Sequence, residues 1–172
     1  MGVAAGRDHR LRDRGNDHRD RQAGVGVVFG SIVVGTDGSE TADEAVRQAA
    51  ALARVLGARV HLVCVYESGA VPVAGADAGR SGDGWAAGTR EAVDATLARS
   101  AAVLQAEGVE VDLYPQRGDP VDAILDVAEE RDADLIVVGN RGRTGAKRFL
   151  LGSVPNRISH HAPCAVLIIR TA

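Results

Sequence analysis

Between residues 31 and 170 the chain alternates five short runs rich in β-branched residues with four longer stretches of helical period, and no other feature constrains its fold as much. The runs are 31–36 (SIVVGT), 59–65 (RVHLVCV), 109–116, 134–139 (DLIVVG) and 164–170 (CAVLIIR). The first and fourth are almost continuously apolar, as in parallel strands covered on both faces. The third is weaker and alternating, which suits a sheet edge. Between the first two runs, Thr41-x-x-Glu44 reads as a capping box. Ala45, Ala49, Leu52, Ala53 and Leu56 share the face of the helix that follows, and Gly57 stops it. A second helix over about 86–107 turns Val93, Leu97, Ala101 and Leu104 inward and ends at Gly108. Asp119 caps a third, with Pro120 in the first turn where a missing N–H costs nothing and Val121, Ile124, Leu125 and Ala128 as its stripe. The fourth spans about 153–161, and His160 and His161 suit the negative end of its dipole.

Strands alternating with helices in this way predict an α/β fold, an open doubly wound parallel five-stranded sheet. Such sheets bind ligands beyond the carboxyl ends of their strands, where the winding reverses. The segments following each strand are therefore where chemistry is expected.

Charge and composition narrow the function. The 172 residues hold 20 Lys and Arg against 23 Asp and Glu, a formal charge of −3. Residues 1–24 contain six Arg and four Asp, which leaves the remainder at −5. An acidic domain is poorly suited to coating nucleic acid, so no nucleic-acid partner is expected. The longest apolar run, 25–34, includes three Gly or Ser residues and falls well short of the roughly 20 residues of a membrane span, so no membrane partner is expected either. Two cysteines, Cys64 and Cys164, cannot build a disulfide framework; both read as buried thiols, and a cytoplasmic location is expected. Residues 1–24, with a single Leu in the stretch from Arg7 to Gln22, read as a disordered polar extension, and 27–172 as one domain. Residues 67–85, rich in Gly, Ala, Ser and Asp, read as a long surface loop that includes Trp85.

After the fourth run comes Gly139-Asn-Arg-Gly142, and after nine intervening residues Gly152-Ser153-Val154 opens the last helix. Glycines allow backbone N–H groups to approach an anion, and a helix N-terminus adds free amides and a positive dipole end. Phosphate is the natural guest. Ser153 suits either a cap or a phosphate ligand, and Arg141, Arg143, Lys147 and Arg148 make the loop locally positive. There is no GxxxxGK[ST] loop, GxSxG elbow or HExxH, so neither a catalytic site nor a metal site is expected.

The spacing Gly-x2-Gly-x9-Gly-Ser, together with Val33-Val34-Gly35-Thr36-Asp37-Gly38-Ser39 and Asp134-Leu-Ile-Val-Val-Gly139, resembles the nucleotide-binding motifs of the universal stress protein family over about 31–170. The resemblance implies a Rossmann-like, adenine nucleotide alpha hydrolase-like sheet of order 3-2-1-4-5, with ATP bound between the first and fourth strands. It implies that Thr36 and Asp37 meet the adenosine end, that Val65 offers backbone groups to the base, and that Val138 packs on it. Gly139, Arg141, Gly142, Gly152, Ser153 and Val154 would surround ribose and phosphates. It also implies a homodimer paired through residues 164–170. Pro155 stands where ATP-binding relatives carry Ser or Thr, and it has neither hydroxyl nor N–H. The segment from Leu150 to Asn156, with Gly139-Asn140 before it, is similar to a subgroup that binds cyclic AMP. Both ligands stay open, with Mg2+ accompanying ATP. The expected role is a stress-response sensor or ligand reservoir, against the alternatives of a slow Mg2+-dependent ATPase and a ligand-free dimerisation module.

Overall fold

In the computed structural model, which describes residues 29–66, 89–142 and 151–171, nine elements follow one another. They are β1 (Ser31–Gly35), α1 (Glu40–Leu56), β2 (Arg59–Tyr66), α2 (Arg90–Ala106), β3 (Val111–Arg117), α3 (Pro120–Glu130), β4 (Leu135–Gly139), α4 (Ser153–His161) and β5 (Ala165–Ile169). The polar extension expected over 1–24, the loop expected over 67–85 with Trp85, and the basic residues Arg143, Lys147 and Arg148 lie outside the described residues.

All strand pairs are parallel and the sheet order is β3-β2-β1-β4-β5. The chain winds outward from β1 to β3, crosses back over the sheet, and continues from β4 to β5. Right-handed crossovers then place α1 and α2 on one face and α3 and α4 on the other. Period-two alternation divides the core accordingly. Ile32, Val34, Leu62, Cys64, Leu135 and Val137 pack beneath α1 and α2, whereas Val33, Val63, Val65, Ile136 and Val138 pack beneath α3 and α4. The buried face of α1 is mostly alanine (Ala42, Ala45, Ala49, Ala50, Ala53, with Val46), so this helix seats close to the sheet. Leu52 and Leu56, expected inside, are only half-buried at its margin. In α2 the four expected inward residues are all buried. In α3, Val121, Ile124 and Ala128 are buried with Val127, and Leu125 sits half-buried beside them.

Helix starts follow the capping chemistry with two corrections. The cap of α1 is Ser39, whose hydroxyl accepts from Ala42 N–H at 3.3 Å; Thr41 lies within the first turn. Glu44 is engaged by Arg47 at 2.9 Å and Gln48 at 2.8 Å, so the expected capping box does not form. Gly152, and not Ser153, occupies the cap position of α4. Asp119 caps α3 as expected, accepting from Val121 N–H at 2.8 Å and Asp122 N–H at 3.2 Å, and its other oxygen accepts from Arg157 of α4 at 2.9 Å. Partial burial would raise the Asp119 pKa, but the Arg157 guanidinium and the two amides outweigh it and hold it below the usual carboxylate value. Asp134, expected to start a strand, precedes β4 and ties it to β1 by accepting from the N–H groups of Gly30 (2.8 Å) and Ser31 (3.1 Å). Cys164 likewise precedes β5 and is only partly covered, its thiol pKa raised by burial and by Asp134.

A polar cluster occupies the amino-terminal end of β2 and β3. His61 is 5% exposed, with Nδ1 3.4 Å from Asp112 Oδ2 and 3.3 Å from the Tyr114 hydroxyl. Arg59 grips Asp112 through both carboxylate oxygens, and Arg131, just after α3, lies over the Tyr114 ring. Among the described residues no helix is long and apolar enough to cross a membrane.

Candidate functional site

The winding reverses between β1 and β4, so their carboxyl ends flank the crevice where a ligand is expected. Beyond β1, the Thr36 N–H donates to Val63 O at 2.9 Å and prolongs the ladder by one residue. The fully buried Thr36 hydroxyl then accepts from Gly38 N–H at 3.2 Å, and Asp37 Oδ1 accepts from Ser39 N–H at 3.0 Å. These two short-range bonds fold the chain into a tight turn, for which Gly38 adopts φ +72°. Asp37 is 6% exposed, an uncommon burial for a carboxylate.

The β4 end is drawn in against α1. A Cβ on Gly139 would lie 2.9 Å from both the carbonyl carbon and the oxygen of Thr41, so only glycine permits this approach. Two residues on, the Arg141 carbonyl accepts a short hydrogen bond from the Thr41 hydroxyl. The third segment closes from α4. Gly152 N–H donates to Asn140 O at 2.9 Å, and a Cβ there would stand 3.3 Å from that oxygen and 3.4 Å from Arg141 Cα.

Gly139, Arg141 and Gly152 are thus brought together, with Ser153 at the first helical position of α4. Gly142 follows them, half-buried. Val65, Val138 and Val154 are buried in one cluster on the α3 and α4 side. Val65 also lies past the last β1–β2 pair, Gly35–Val63, because β2 outruns β1. Thr36 and Asp37 occupy the facing turn at the end of β1.

Two residues of this region take roles that residue type and spacing did not assign. Thr41 is the tether between α1 and the segment after β4. Asn140 is 6% exposed, and its side-chain oxygen is buried with no hydrogen-bond partner among the described residues; the same is true of Arg141 Nε. Among the described residues, the cap position of α4, Gly152, makes no side-chain hydrogen bond, and the positive end of the helix dipole lies beside Asn140 and Arg141. A helix N-terminus beside Arg141 makes a region suited to a small anion.

The sequence model of the universal stress protein family matches residues 29–170. The chain belongs to the universal stress protein family. A universal stress protein of Mycobacterium tuberculosis is 34% identical over 144 residues, covering 84% of this chain and 98% of the relative. One of Methanocaldococcus jannaschii is 32% identical over 143 residues, 83% of each chain. Among solved structures, a universal stress protein in complex with cAMP superposes with a TM-score of 0.64 at 30% identity, over 84% of this chain and 98% of its own. The universal stress protein from Archaeoglobus fulgidus in complex with dAMP gives 0.58 at 28% identity, over 83% and 98%. The Rossmann-like sheet and its strand order are those of this family.

Proposed function

We propose that this universal stress protein binds an adenine nucleotide between the carboxyl ends of β1 and β4 and acts as a sensor or ligand reservoir in a stress response, without turnover as its main purpose. The observation that carries this reading is the closure of Gly152, at the start of α4, over Asn140 and Arg141, opposite the buried Asp37 turn. The nucleotide complexes of two relatives support it. In this reading Ser153, Val154, Gly139, Gly142 and Arg141 hold phosphate and ribose, and Thr36, Asp37, Val65 and Val138 hold the adenosine.

Pro155, buried as the third residue of α4, favours cAMP over ATP. A proline offers no amide, and each charge-assisted hydrogen bond contributes roughly 1.5–3 kcal/mol, against about 8 kcal/mol for micromolar binding. One cyclic phosphate needs fewer donors than a triphosphate, whose Mg2+ would arrive with it. Titration calorimetry with cAMP and with ATP·Mg2+ tests the reading: binding of either, abolished by Gly142→Glu, supports it, and silence from both refutes it. Steady release of phosphate from ATP would instead favour the ATPase alternative.

The protein also pairs as a homodimer through β5 in this reading. At the other edge, β3 contains Pro115 and the charged Asp112 and Arg117, which discourage further pairing. The edge strand β5 reads Ala165-Val-Leu-Ile-Ile169 and has no such protection. A monomer in sedimentation at micromolar concentration would refute the dimer.

A further inference from the structure

The side-chain oxygen of Asn140 is the least explained polar atom in the crevice. Both backbone groups of Asn140 are used: its N–H donates to Ile169 O at 2.7 Å and its carbonyl accepts from Gly152 N–H at 2.9 Å. The carboxamide oxygen is buried and has no partner among the described residues. A buried acceptor without a donor is costly, and native structures rarely keep one without a reason. Period-two alternation places this side chain on the face of Val138, where Val154 of α4 packs.

A ligand satisfies this atom only by donating to it. Phosphate oxygens at neutral pH are acceptors and fail, so the donor belongs to the part of the ligand next to the phosphate. In a nucleotide that part is the sugar. Cyclic AMP and ATP share one free sugar donor, the ribose 2′-hydroxyl, because the 3′-oxygen of cAMP is esterified.

Resting on the adenine-nucleotide reading above, we propose that Asn140 accepts a hydrogen bond from the ribose 2′-hydroxyl of the bound nucleotide and selects ribonucleotides over 2′-deoxyribonucleotides. The α4 amides hold the phosphate, and Asn140 reads the sugar beside it. A 2′-deoxy ligand leaves the acceptor buried and unmet, and discrimination of this kind grows when the site's own polar group is left unpaired.

The test is calorimetry with cAMP and 2′-deoxy-cAMP, and with ATP·Mg2+ and 2′-deoxy-ATP·Mg2+, on the wild type, Asn140→Leu and Asn140→Asp. The wild type should prefer the ribonucleotide by about ten-fold, the scale of one hydrogen bond. Asn140→Leu should reduce that ratio to within about two-fold while still binding the 2′-deoxy ligand. Asn140→Asp keeps an acceptor but adds charge beside the phosphate. It should weaken both cyclic nucleotides and still favour adenosine over 2′-deoxyadenosine, which guards against a leucine variant that misfolds. Equal wild-type affinity for the two sugars, or full discrimination retained by folded Asn140→Leu, overturns the proposal and leaves nucleotide binding standing. Wild-type silence to all four nucleotides overturns both.

Discussion

The closest approach between β1 and α3 supplies a quantitative test of how the crevice is framed. A Cβ built on Gly35 lies 2.6 Å from Ile124 Cδ1, 3.2 Å from Val138 Cγ1 and 3.4 Å from Ile124 Cγ1. Carbon atoms pack at about 3.5–4.0 Å, so Gly35→Ala forces the Ile124 methyl to move by roughly 1 Å. Ile124 is fully buried among Val33, Val63, Ile136 and Val138, and the movement strains them. Overpacking of this kind costs about 1–3 kcal/mol, offset by about 0.4–1 kcal/mol from the stiffer unfolded chain, so the net loss should be about 1.5 kcal/mol. Ile124→Val alone should cost about 1 kcal/mol. In the double variant the atom at 2.6 Å is gone and the new methyl fills part of the void, so the combined loss should fall to about 0.5–1 kcal/mol, where independence would give about 2.5 kcal/mol. Urea denaturation of the four proteins measures the coupling, expected at about 1.5–2 kcal/mol. Additivity to within about 0.5 kcal/mol would refute the stated contact between β1 and α3.

Three further outcomes follow from named contacts. Asp119→Ala should destabilise by about 1–2 kcal/mol because it removes the α3 cap, whereas Arg157→Ala, which breaks partly exposed ion pairs with Asp119 and Asp122, should cost less than about 1 kcal/mol; equal losses in thermal melts would contradict this ranking. Thr41→Val removes the donor to the Arg141 carbonyl and should lower nucleotide affinity more than Ser39→Ala, whose loss of about 1 kcal/mol is one of helix stability; the reverse order in calorimetry would refute the tether. Burial holds the His61 pKa below its ordinary value, with Asp112 opposing and Arg131 and Arg59 adding to the effect. The fold therefore favours the neutral ring, and the unfolded chain takes up the proton near pH 6.5, so this contribution is fully present above about pH 6.5 and is lost as pH falls toward the folded value. Urea midpoints should decline on the acid side, and His61→Phe should flatten the decline; an unchanged slope in that variant would exclude His61 as its source.

Much of the fold was legible because its signals are local. Runs such as Ile32-Val33-Val34 and Leu135-Ile136-Val137-Val138 are strands by composition, and Asp119-Pro120 and Gly57 mark helix ends by backbone chemistry. Strand order is not local. Periodicity cannot place β4 beside β1, and the order came from the resemblance of the glycine motifs. The errors share one cause. Ser39 and Thr41 both suit a cap, and the choice between them is made by Arg141, 100 residues away, which takes the Thr41 hydroxyl. Asp134 reads as a strand start until the amides of Gly30 and Ser31 claim its carboxylate. Asn140 was visible only through the resemblance to the cyclic-AMP-binding subgroup, because the burial of its oxygen belongs to the packing around it. His61, a lone imidazole within an apolar run, was the one available hint of the cluster with Asp112 and Tyr114.

The glycines that resemble a nucleotide motif also serve packing, and one substitution separates these roles. At Gly139 an added Cβ meets the main chain of Thr41, in the first turn of α1, at 2.9 Å. The clash at Gly35 is with a side-chain methyl that rotation can withdraw; a helix backbone has no equivalent escape. Gly139→Ala should therefore destabilise the nucleotide-free protein more than Gly35→Ala does, by upwards of about 2 kcal/mol. Trimming Thr41 to Ala should not rescue it, because the obstructing atoms are the carbonyl carbon and oxygen. A Gly139→Ala variant that melts like the wild type yet fails to bind nucleotide would mean that β4 does not lie against α1 as described, and that Gly139 is spared a side chain for the ligand alone.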